Sequence, residues 1–453
     1  MKKKSRKKII CLIGAALVLC MGFGFFHITA AAQPQRPLVI VIDPGHGGEN
    51  EGAKYDGYME KEMTMVVARA MKEELEKYDG VEVYLTRQGD EDVSIKDRAA
   101  FAGEKNADFL FCLHFNSSVH HSLFGTEAWV PAEGAYYAKG YSFAQIELQE
   151  LVGIGLYSRG IKTRLNDRGE NYYGILRYCT YEKVPSVLIE HCHLDNEKDK
   201  KFYQQGRGQL EELGRLDATA AAKYFRLKSE ILGIDYGDYP VPETNIPKDI
   251  VRPDKTEPDL CEIEAGAVDK STGQVDVHIE AEDKDSYILY YCYSTDGGNT
   301  YFPLEEWPRP EGWNQSSKNH DFQITVPLDE ETELRVAVYN GFDLLTESNI
   351  VTIEPVINKE LEAQKIAYEK ALAVLQKEMP EKFPWSGQLT HRSNDNEEPP
   401  DENLTDGAFI NSEEDNRDRE SRVNAMLVYN VIAGIMICII LLSFFMAKMI
   451  TSR

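Results

Sequence analysis

The stretch Leu38–Gly48, LVIVIDPGHGG, decides the fold of the first half of the chain. Its first five residues form an unbroken apolar run rich in β-branched side chains, which is typical of a strand buried on both faces of a parallel sheet. The turn DPGHGG follows directly, and its glycines let the backbone bend sharply and approach a bulky group closely. The stretch therefore predicts a central strand that delivers His46 to the carboxyl edge of a sheet, where open α/β folds bind their ligands.

Strands and helices alternate from Pro37 to Leu227. Three further runs have the composition of strands, namely VEVYLT (Val81–Thr86), ADFLFCLHFN (Ala107–Asn116) and SVLIEHCH (Ser186–His193). Three stretches have the apolar spacing of amphipathic helices, namely Glu62–Lys77, Val93–Lys105 and Glu197–Phe225. This alternation predicts an α/β domain over residues 37–227, with an open, mainly parallel sheet and helices on both faces.

The second half of the chain has a different pattern. Residues 228–258 include a Pro- and Asp-rich stretch that predicts a linker, and residues 259–356 alternate like strands without long helices. We expect a small antiparallel β-sandwich of immunoglobulin-like type there. Its aromatic residues can form a face for a glycan or protein partner, although core packing explains most of them. A helix is predicted over 357–380 and an acidic, disordered stalk over 381–424.

Two apolar segments predict a membrane-associated protein. Residues 1–33 have a basic start, an apolar core and a small-residue end, which is the pattern of an export signal or an uncleaved N-terminal anchor. Residues 425–447 form an uncharged apolar run long enough for a transmembrane helix, and a run of this length is rarely a buried core helix. We therefore expect a cell-membrane protein whose catalytic and β-sandwich domains lie on the extracytoplasmic side.

Charge excludes one class of partner. The formal net charge of the 453-residue chain is −25 at pH 7, whereas a general nucleic-acid binder needs a basic face to replace phosphate counterions. The sequence therefore predicts no nucleic-acid partner.

Polar residues lie at the ends of predicted strands and at the start of a predicted helix. His114 and Glu190 each close a buried apolar strand, and burying such a group is costly unless it is paired, metal-bound or functional. Glu60 opens the first helix; an acid there commonly stabilises the helix N-terminus, a role that Glu62 fits better. His46 alone would most often be a structural turn residue, and its glycine-rich turn lacks the spacing of phosphate-binding loops.

The combination of these residues indicates metal chemistry. His46, His114 and Glu190 follow predicted parallel strands, so their side chains can converge on one crevice. Two imidazoles and one carboxylate are the ligand set of a catalytic zinc that keeps a fourth position for water. A further carboxylate can then serve as general base and acid. The residues by themselves predict metal-assisted hydrolysis of an amide or an ester.

The segment 38–226 resembles the zinc-dependent N-acetylmuramoyl-L-alanine amidases of the family often called amidase type 3. The shared motifs occur in family order: DPGHGG (Asp43–Gly48), Glu60-Lys61, LTR (Leu85–Arg87) with Asp90 and Arg98, LHFNS (Leu113–Ser117), Gly125-Thr126-Glu127, ILR (Ile175–Arg177), and PSVLIE (Pro185–Glu190) with Asn196. The combination is highly specific, although several of the motifs are weak alone.

The resemblance implies a reaction and roles for four residues. One Zn²⁺ per catalytic domain would be bound by His46, Glu60 and His114, and would polarise the scissile carbonyl and lower the pKa of a bound water. Glu190 would take the proton from that water and deliver it to the departing amine. The implied substrate is peptidoglycan, cleaved at the amide between N-acetylmuramic acid and L-alanine of the stem peptide.

One segment departs from the family pattern. Members usually have small and aromatic residues after the catalytic glutamate, commonly a Gly-Phe pair, whereas this chain has His191-Cys192-His193. By strand alternation Cys192 shares a face with Glu190, and Cys112 shares one with His114. Inert packing, mutual pairing and disturbance of the metal site are all open on this pattern.

Two other functions compete with an active amidase. A catalytically impaired wall-binding or sensory membrane protein could retain the fold, and the His-Cys-His segment is the best argument for it. A zinc peptidase with another substrate is the third possibility. The four intact site residues favour the amidase.

Overall fold

The computed structural model describes residues 36–309, 312–356 and 359–378. The α/β domain comprises eight strands: β1 (Leu38–Pro44), β2 (Lys54–Tyr55), β3 (Tyr58–Met59), β4 (Val81–Leu85), β5 (Phe109–Asn116), β6 (Thr126–Trp129), β7 (Ser158–Lys162) and β8 (Ser186–His193). Its helices are α1 (Glu60–Leu75), α2 (Ile95–Glu104), α3 (Gly134–Gly153), α4 (Gly174–Tyr181), α5 (Glu197–Lys200) and α6 (Arg207–Tyr224).

Six of these strands form one sheet in the order β4-β1-β5-β8-β6-β7. Strands β4, β1, β5 and β8 are mutually parallel, and β6 pairs antiparallel with β8 and parallel with β7. The prediction of an open, mainly parallel sheet is confirmed. The carboxyl ends of β1, β5 and β8 are adjacent, which brings the predicted site residues to one edge.

Helices cover both faces of the sheet, as predicted. On one face α1, α3 and α6 pack against a core that includes Ile40, Phe111 and Ile189. On the other face α2 and α4 pack against Val41 and Leu188. Alternate residues of each central strand serve opposite cores, which explains why these strands are apolar without interruption.

The helix predicted over Glu197–Phe225 is two helices. Asn196 caps α5 by accepting a hydrogen bond from the Lys198 amide, and Gly206 precedes α6 with φ of 101°. A left-handed conformation of this kind is strained for residues with a Cβ, so Gly206 ends one segment and starts the next.

The segment after α6 lies against the α/β domain. It contains the short antiparallel strands β9 (Lys228–Ser229) and β10 (Ile234–Asp235). Farther on, the Val251 amide donates to the Ala132 carbonyl at 2.8 Å and the Val251 carbonyl accepts from the Thr163 hydroxyl at 2.9 Å. These contacts tie part of the sequence that we predicted as a linker to the sheet edge.

Antiparallel strands make up the next part of the chain, here called the β region (residues 260–353). Its strands are β11 (Leu260–Ala265), β12 (Gln274–Glu282), β13 (Ile288–Ser294), β14 (Glu305–Glu306), β15 (Asn319–Thr325), β16 (Thr332–Asn340), β17 (Leu345–Glu347) and β18 (Val351–Ile353). One sheet has the order β11-β12-β15 and the other β14-β13-β16-β17, with β18 also paired to β16. Residues of both sheets, including Ile279 and Val336, share one buried core.

The final described element is α7 (Lys359–Glu378). None of the helices within the three described ranges is long and apolar enough to cross a bilayer. The predicted N-terminal segment 1–33, the stalk over 381–424 and the transmembrane helix over 425–447 lie outside these ranges. The five cysteines within them, Cys112, Cys179, Cys192, Cys261 and Cys292, are buried free thiols.

Candidate active site

The turn after β1 carries His46 in an unusual backbone conformation. His46 has φ of 62°, which is uncommon for a residue with a Cβ and is found where surrounding contacts fix the chain. A Cβ placed on the preceding Gly45 would lie 2.4 Å from Cε1 of His114. Gly45 is therefore required for the two histidines to approach each other, and their ring centroids are 4.9 Å apart.

Two buried arginines hold this turn in place. Arg98 donates to the carbonyl of His46 at 2.7 Å and forms an ion pair with Asp43 at 2.8 Å. Arg87 donates to the carbonyls of Pro44 and Gly45 at 3.0 and 2.9 Å. The family motifs that contain Asp43, Arg87 and Arg98 thus support the conformation of the loop that carries His46.

Glu60, the first residue of α1, is 3% exposed. Its Oε2 accepts from the Ala53 amide at 2.7 Å, and its Oε1 accepts from the Phe115 amide at 3.0 Å. A Cβ at Gly52 would lie 2.4 Å from Glu60 Oε2. The carboxylate is therefore fixed by backbone donors on both sides and points into the site rather than serving only the helix N-terminus.

Three side chains make a compact donor set. Glu60 Oε2 lies 3.0 Å from Nε2 of His46, and Glu60 Oε1 lies 2.8 Å from Nδ1 of His114. One donor atom from each residue falls within 4.8 Å of the other two, and this is the only such cluster of three or more His, Cys, Asp or Glu side chains found in the described residues. The number, type and spacing of these donors fit a divalent metal with an open position.

Ionisation within the set matches that chemistry. Burial disfavours the charged form of Glu60, but hydrogen bonds from His114 and His46 outweigh it and lower the pKa of this carboxyl below its ordinary value. Burial likewise opposes charge on His46, yet the hydrogen bond to Glu60 raises its pKa. A carboxylate that stays ionised beside two imidazole nitrogens is suited to bind a cation.

Glu190 ends the apolar part of β8 and faces the same cleft, whose volume is about 360 Å³. It is 8% exposed, and its Oε2 makes no hydrogen bond within the described part of the chain. Burial and the charges of Glu60 and Glu127 raise the pKa of this carboxyl well above its ordinary value. A buried carboxylate without a fixed partner, beside a metal-type donor set, is suited to exchange protons with a substrate.

The cleft also has apolar lining residues. Its lining also includes Val93, Ile95, Tyr173 and Ile175. These residues come from the starts of α2 and α4 and the segments before them, and they give the site room for a peptide segment next to the donor set.

Glu127 lies beside the site. The sequence places it in the Gly125-Thr126-Glu127 motif but predicts no role for it. It stands opposite Glu190 in the β6–β8 register and is 1% exposed. Arg159 and Lys162 form ion pairs with its Oε2 at 2.9 and 2.7 Å, and Asn116 donates to its Oε1 at 2.9 Å. The signal that the sequence offered was its place in the Gly125-Thr126-Glu127 motif.

The His191-Cys192-His193 segment turns away from the metal donors. The register between β5 and β8 shifts after His114, so β8 holds one extra residue. This bulge places Cys192 in the core under α1 and α6, and the expectation that Cys192 shares a face with Glu190 is wrong for this reason. Burial raises the pKa of the Cys192 thiol well above its ordinary value, so it remains protonated and unreactive.

The other members of that segment have fixed partners. His191 Nε2 lies 3.1 Å from the Asp217 carboxylate, and His191 Nδ1 lies 3.0 Å from the carbonyl of His114. His193 Nδ1 lies 3.2 Å from the carbonyl of Gly125. Cys112 donates to Asp43 at 3.1 Å. The partners of these groups are the carboxylates of Asp43 and Asp217 and the backbone carbonyls of Gly125 and His114, and none of these atoms belongs to the metal-type donor set.

An open α/β sheet with a His-Glu-His donor set and a free buried carboxylate at its carboxyl edge defines a metal-dependent hydrolase. The family described as N-acetylmuramoyl-L-alanine amidase (amidase type 3) matches residues 40–215. The chain belongs to this family and is an N-acetylmuramoyl-L-alanine amidase, a peptidoglycan hydrolase.

Several relatives cover the same part of the chain. The sporulation-specific N-acetylmuramoyl-L-alanine amidase of Bacillus subtilis (strain 168) is 31% identical over 42% of this chain and 69% of its own length. The amidase CwlM of Bacillus licheniformis is 30% identical over 42% of this chain and 69% of its own. The catalytic domain of the amidase CwlV from Bacillus (Paenibacillus) polymyxa var. colistinus is 26% identical, with a TM-score of 0.35 over 42% of this chain and 99% of that structure.

Proposed function

We propose that the chain cleaves the amide between the lactyl group of N-acetylmuramic acid and L-alanine of the stem peptide, using one zinc ion held by His46, Glu60 and His114 and Glu190 as general base and acid. The observation that carries this proposal is the donor set itself, in which two imidazoles and one buried carboxylate lie within 4.8 Å. Glu190 in the same cleft supplies the proton-transfer group. A bound zinc ion supplies a Lewis acid that polarises the scissile carbonyl and activates a water molecule.

The residues around the donor set orient it. The Nδ1 of His46 lies 2.9 Å from Oδ1 of Asn50, so Nδ1 carries the proton and Nε2 is free to bind a metal. The Ala53 and Phe115 amides each donate to one oxygen of Glu60 and so fix the carboxylate between them. This support lowers the reorganisation needed when the ion binds.

Glu190 carries both proton transfers. Its carboxylate accepts a proton from the attacking water as the carbon–oxygen bond forms, and it returns that proton to the alanine nitrogen as the carbon–nitrogen bond breaks. Its position in a largely buried strand keeps bulk water away from the carboxylate, which favours exchange of the proton with the substrate. A nearby cation would lower its raised pKa and so make the basic form available.

We also propose that the protein acts at the outer face of the cell membrane. The uncharged apolar run over 425–447 and the basic, apolar N-terminal segment 1–33 support this location. Peptidoglycan as the substrate supports it as well. Proteolysis of intact protoplasts tests the proposal: we expect the α/β domain to be digested from outside, and full protection would contradict it.

For residues 259–356 we propose an immunoglobulin-like β-sandwich. Two antiparallel sheets that share one core support this class. A glycan or a protein remains its proposed type of partner. Calorimetric titration of muropeptides into Glu190→Gln tests the glycan option: two binding sites per chain would support it, and one site would count against it.

The bond that is cleaved can be identified directly. Purified wall is incubated with the zinc-loaded full chain, and the products are analysed by mass spectrometry. We expect free stem peptides with a new L-alanine N-terminus and glycan strands with intact N-acetylmuramic acid, and we expect a chelator to stop the release. Release of peptides cut between stem residues would support the zinc peptidase instead. Zinc binding without release would support the catalytically impaired protein.

A further inference from the structure

The β region packs on the outer edge strand of the α/β sheet, β7. Asn314 accepts a hydrogen bond from the amide of Ile161 at 3.0 Å and donates one to the carbonyl of the same residue at 2.8 Å. The Tyr287 hydroxyl donates to the carbonyl of Arg159 at 2.5 Å. Side chains of the β region therefore satisfy backbone groups that an exposed edge strand would leave to solvent or to another chain.

Apolar packing joins the two parts of the molecule in the same place. Phe124, which precedes β6, is buried in one cluster with residues of the β region, namely Tyr287, Leu289, Tyr290, Cys292, Leu304 and Ala337. A Cβ on Gly160 of β7 would lie 2.2 Å from the Tyr287 hydroxyl oxygen. This close approach and the shared core are features of a fixed interface rather than of a tethered module.

An ion network crosses this interface, with Arg159, Glu127 and Lys162 buried and Asp343 partly exposed. Arg159 of β7 is 1% exposed. It donates through Nε to Glu127 at 2.9 Å, through one terminal nitrogen to the Tyr290 hydroxyl at 2.8 Å, and through the other to Asp343 at 2.8 Å. Asp343 follows β16 in the β region, so a single guanidinium links a carboxylate of the β region to a carboxylate of the catalytic sheet.

Glu127 connects the network to the active site. It is directly opposite Glu190 in the antiparallel β6–β8 pair, and side chains in such positions lie on the same face with Cβ atoms about 5 Å apart. The network contains two cations, Arg159 and Lys162, and two carboxylates, Glu127 and Asp343. Each charge has an opposite partner, as buried charges require.

We propose that Asp343 of the β region is a positioning residue for the amidase site, which holds Arg159 in place and through it fixes Glu127 beside Glu190. Without Asp343 one arm of a buried guanidinium has no anionic partner, and Arg159 reorients towards other acceptors. Glu127 then loses one of its two cations and shifts against Glu190. The β region is on this basis a part of the catalytic unit. The inference rests on the proposed function in one respect, the role of Glu190 as the group that transfers protons.

Kinetics of full-chain variants on a soluble muropeptide test the proposal. For Asp343→Asn we expect kcat to fall about tenfold, while KM and the zinc content stay within twofold of the wild type. Asp343→Glu, which keeps the charge, should recover at least part of the loss. Glu305→Gln is the matched control, because Glu305 also pairs across the interface, with Lys198 at 2.8 Å, but has no contact with Arg159. Its kcat should remain unchanged. A kcat for Asp343→Asn equal to that of Glu305→Gln would overturn the proposal.

Hydrogen exchange separates this inference from the proposed function. If the wild type releases no product, the proposed function has failed, and the exchange of residues 126–129 and 158–162 then decides the inference. We expect Asp343→Asn to raise exchange in both segments at least threefold and Glu305→Gln to leave them unchanged. Equal exchange in all three proteins would overturn the positioning role.

Discussion

At the scale of single residues, the absence of a side chain at two glycines decides whether His46, Glu60 and His114 can approach one another. Gly45 has no Cβ where one would collide with the ring of His114, and Gly52 has none where one would collide with Glu60. The DPGHGG motif predicted a sharp turn and a close approach of a bulky group. The identity of that group, the imidazole of His114, could not be read from the motif because the contact joins residues far apart in the chain.

Gly45→Ala tests this packing. The added methyl group should displace the His114 ring, and we expect zinc affinity to fall at least tenfold and amidase activity to fall with it. Gly208→Ala in α6 is the control, because its Cβ would meet no atom within 4 Å. Titration with a competing chelator measures the affinity. Equal zinc affinities for the two variants would contradict the account.

His193 gives a pH dependence of stability. Burial, together with the charge of Arg159, lowers the pKa of His193 to about 3, whereas the unfolded chain has a value near 6.5. Between these values the unfolded state binds more protons than the folded state, so stability rises with pH in this window and is lost on acidification. The contribution amounts to about 2 kcal/mol between pH 7 and pH 5.

His193→Gln should remove this part of the acid sensitivity. We expect urea unfolding at pH 7 and pH 5 to show a smaller difference for the variant than for the wild type. The pKa of Asp199, which burial raises to about 6, gives a contribution of opposite sign that is present in both proteins. An unchanged pH difference in the variant would contradict the assigned role of His193.

At the scale of elements, the sequence predicted the strands that are apolar throughout. β1, β5 and β8 were predicted within two residues of their observed bounds because parallel central strands have no solvent-facing side. β6 and β7 were not predicted, because their buried charges Glu127, Arg159 and Lys162 have the sequence pattern of an exposed segment. Those charges are neutralised by partners distant in sequence. The bulge in β8 was missed for a related reason, since alternation assumes an unbroken register.

The contact between β8 and α6 depends on one buried pair. Asp217 of α6 and His191 of β8 are both fully buried. In the wild type, burial opposes charge on His191, but the charge of Asp217 raises the pKa of this imidazole. Asp217→Asn removes that charge partner. We expect a loss of about 3 kcal/mol in the free energy of unfolding.

Glu211→Gln is the matched control on the same helix. Glu211 pairs with Arg207 at 2.6 Å on the surface, and solvent screening makes the loss of such an exposed pair nearly neutral for stability. Urea titration of both variants gives the comparison. If Asp217→Asn costs no more than Glu211→Gln, the buried pair does not support the element contact as described.

At the scale of the whole molecule, the described chain from the first strand to the end of the β region is organised around one sheet edge. The segment from 228 to 258 runs back along the α/β domain, and the β region then packs against the edge strand β7. Composition predicted a linker and a separate module. Proline and aspartate content reports local backbone propensity, and it carries no information on where a segment packs. The interface explains why the catalytic sheet has charged residues in its outer strands.

The central claim is that Glu190 transfers protons at a metal site formed by His46, Glu60 and His114. The most direct measurement compares Glu190→Gln with the wild type for zinc content and for release of stem peptides from purified wall. We predict one zinc ion per chain in both proteins, and a kcat for the variant lower by a factor of about 10² to 10⁴, the range that general acid–base catalysis contributes. A variant that keeps its zinc and retains wild-type kcat would contradict the account.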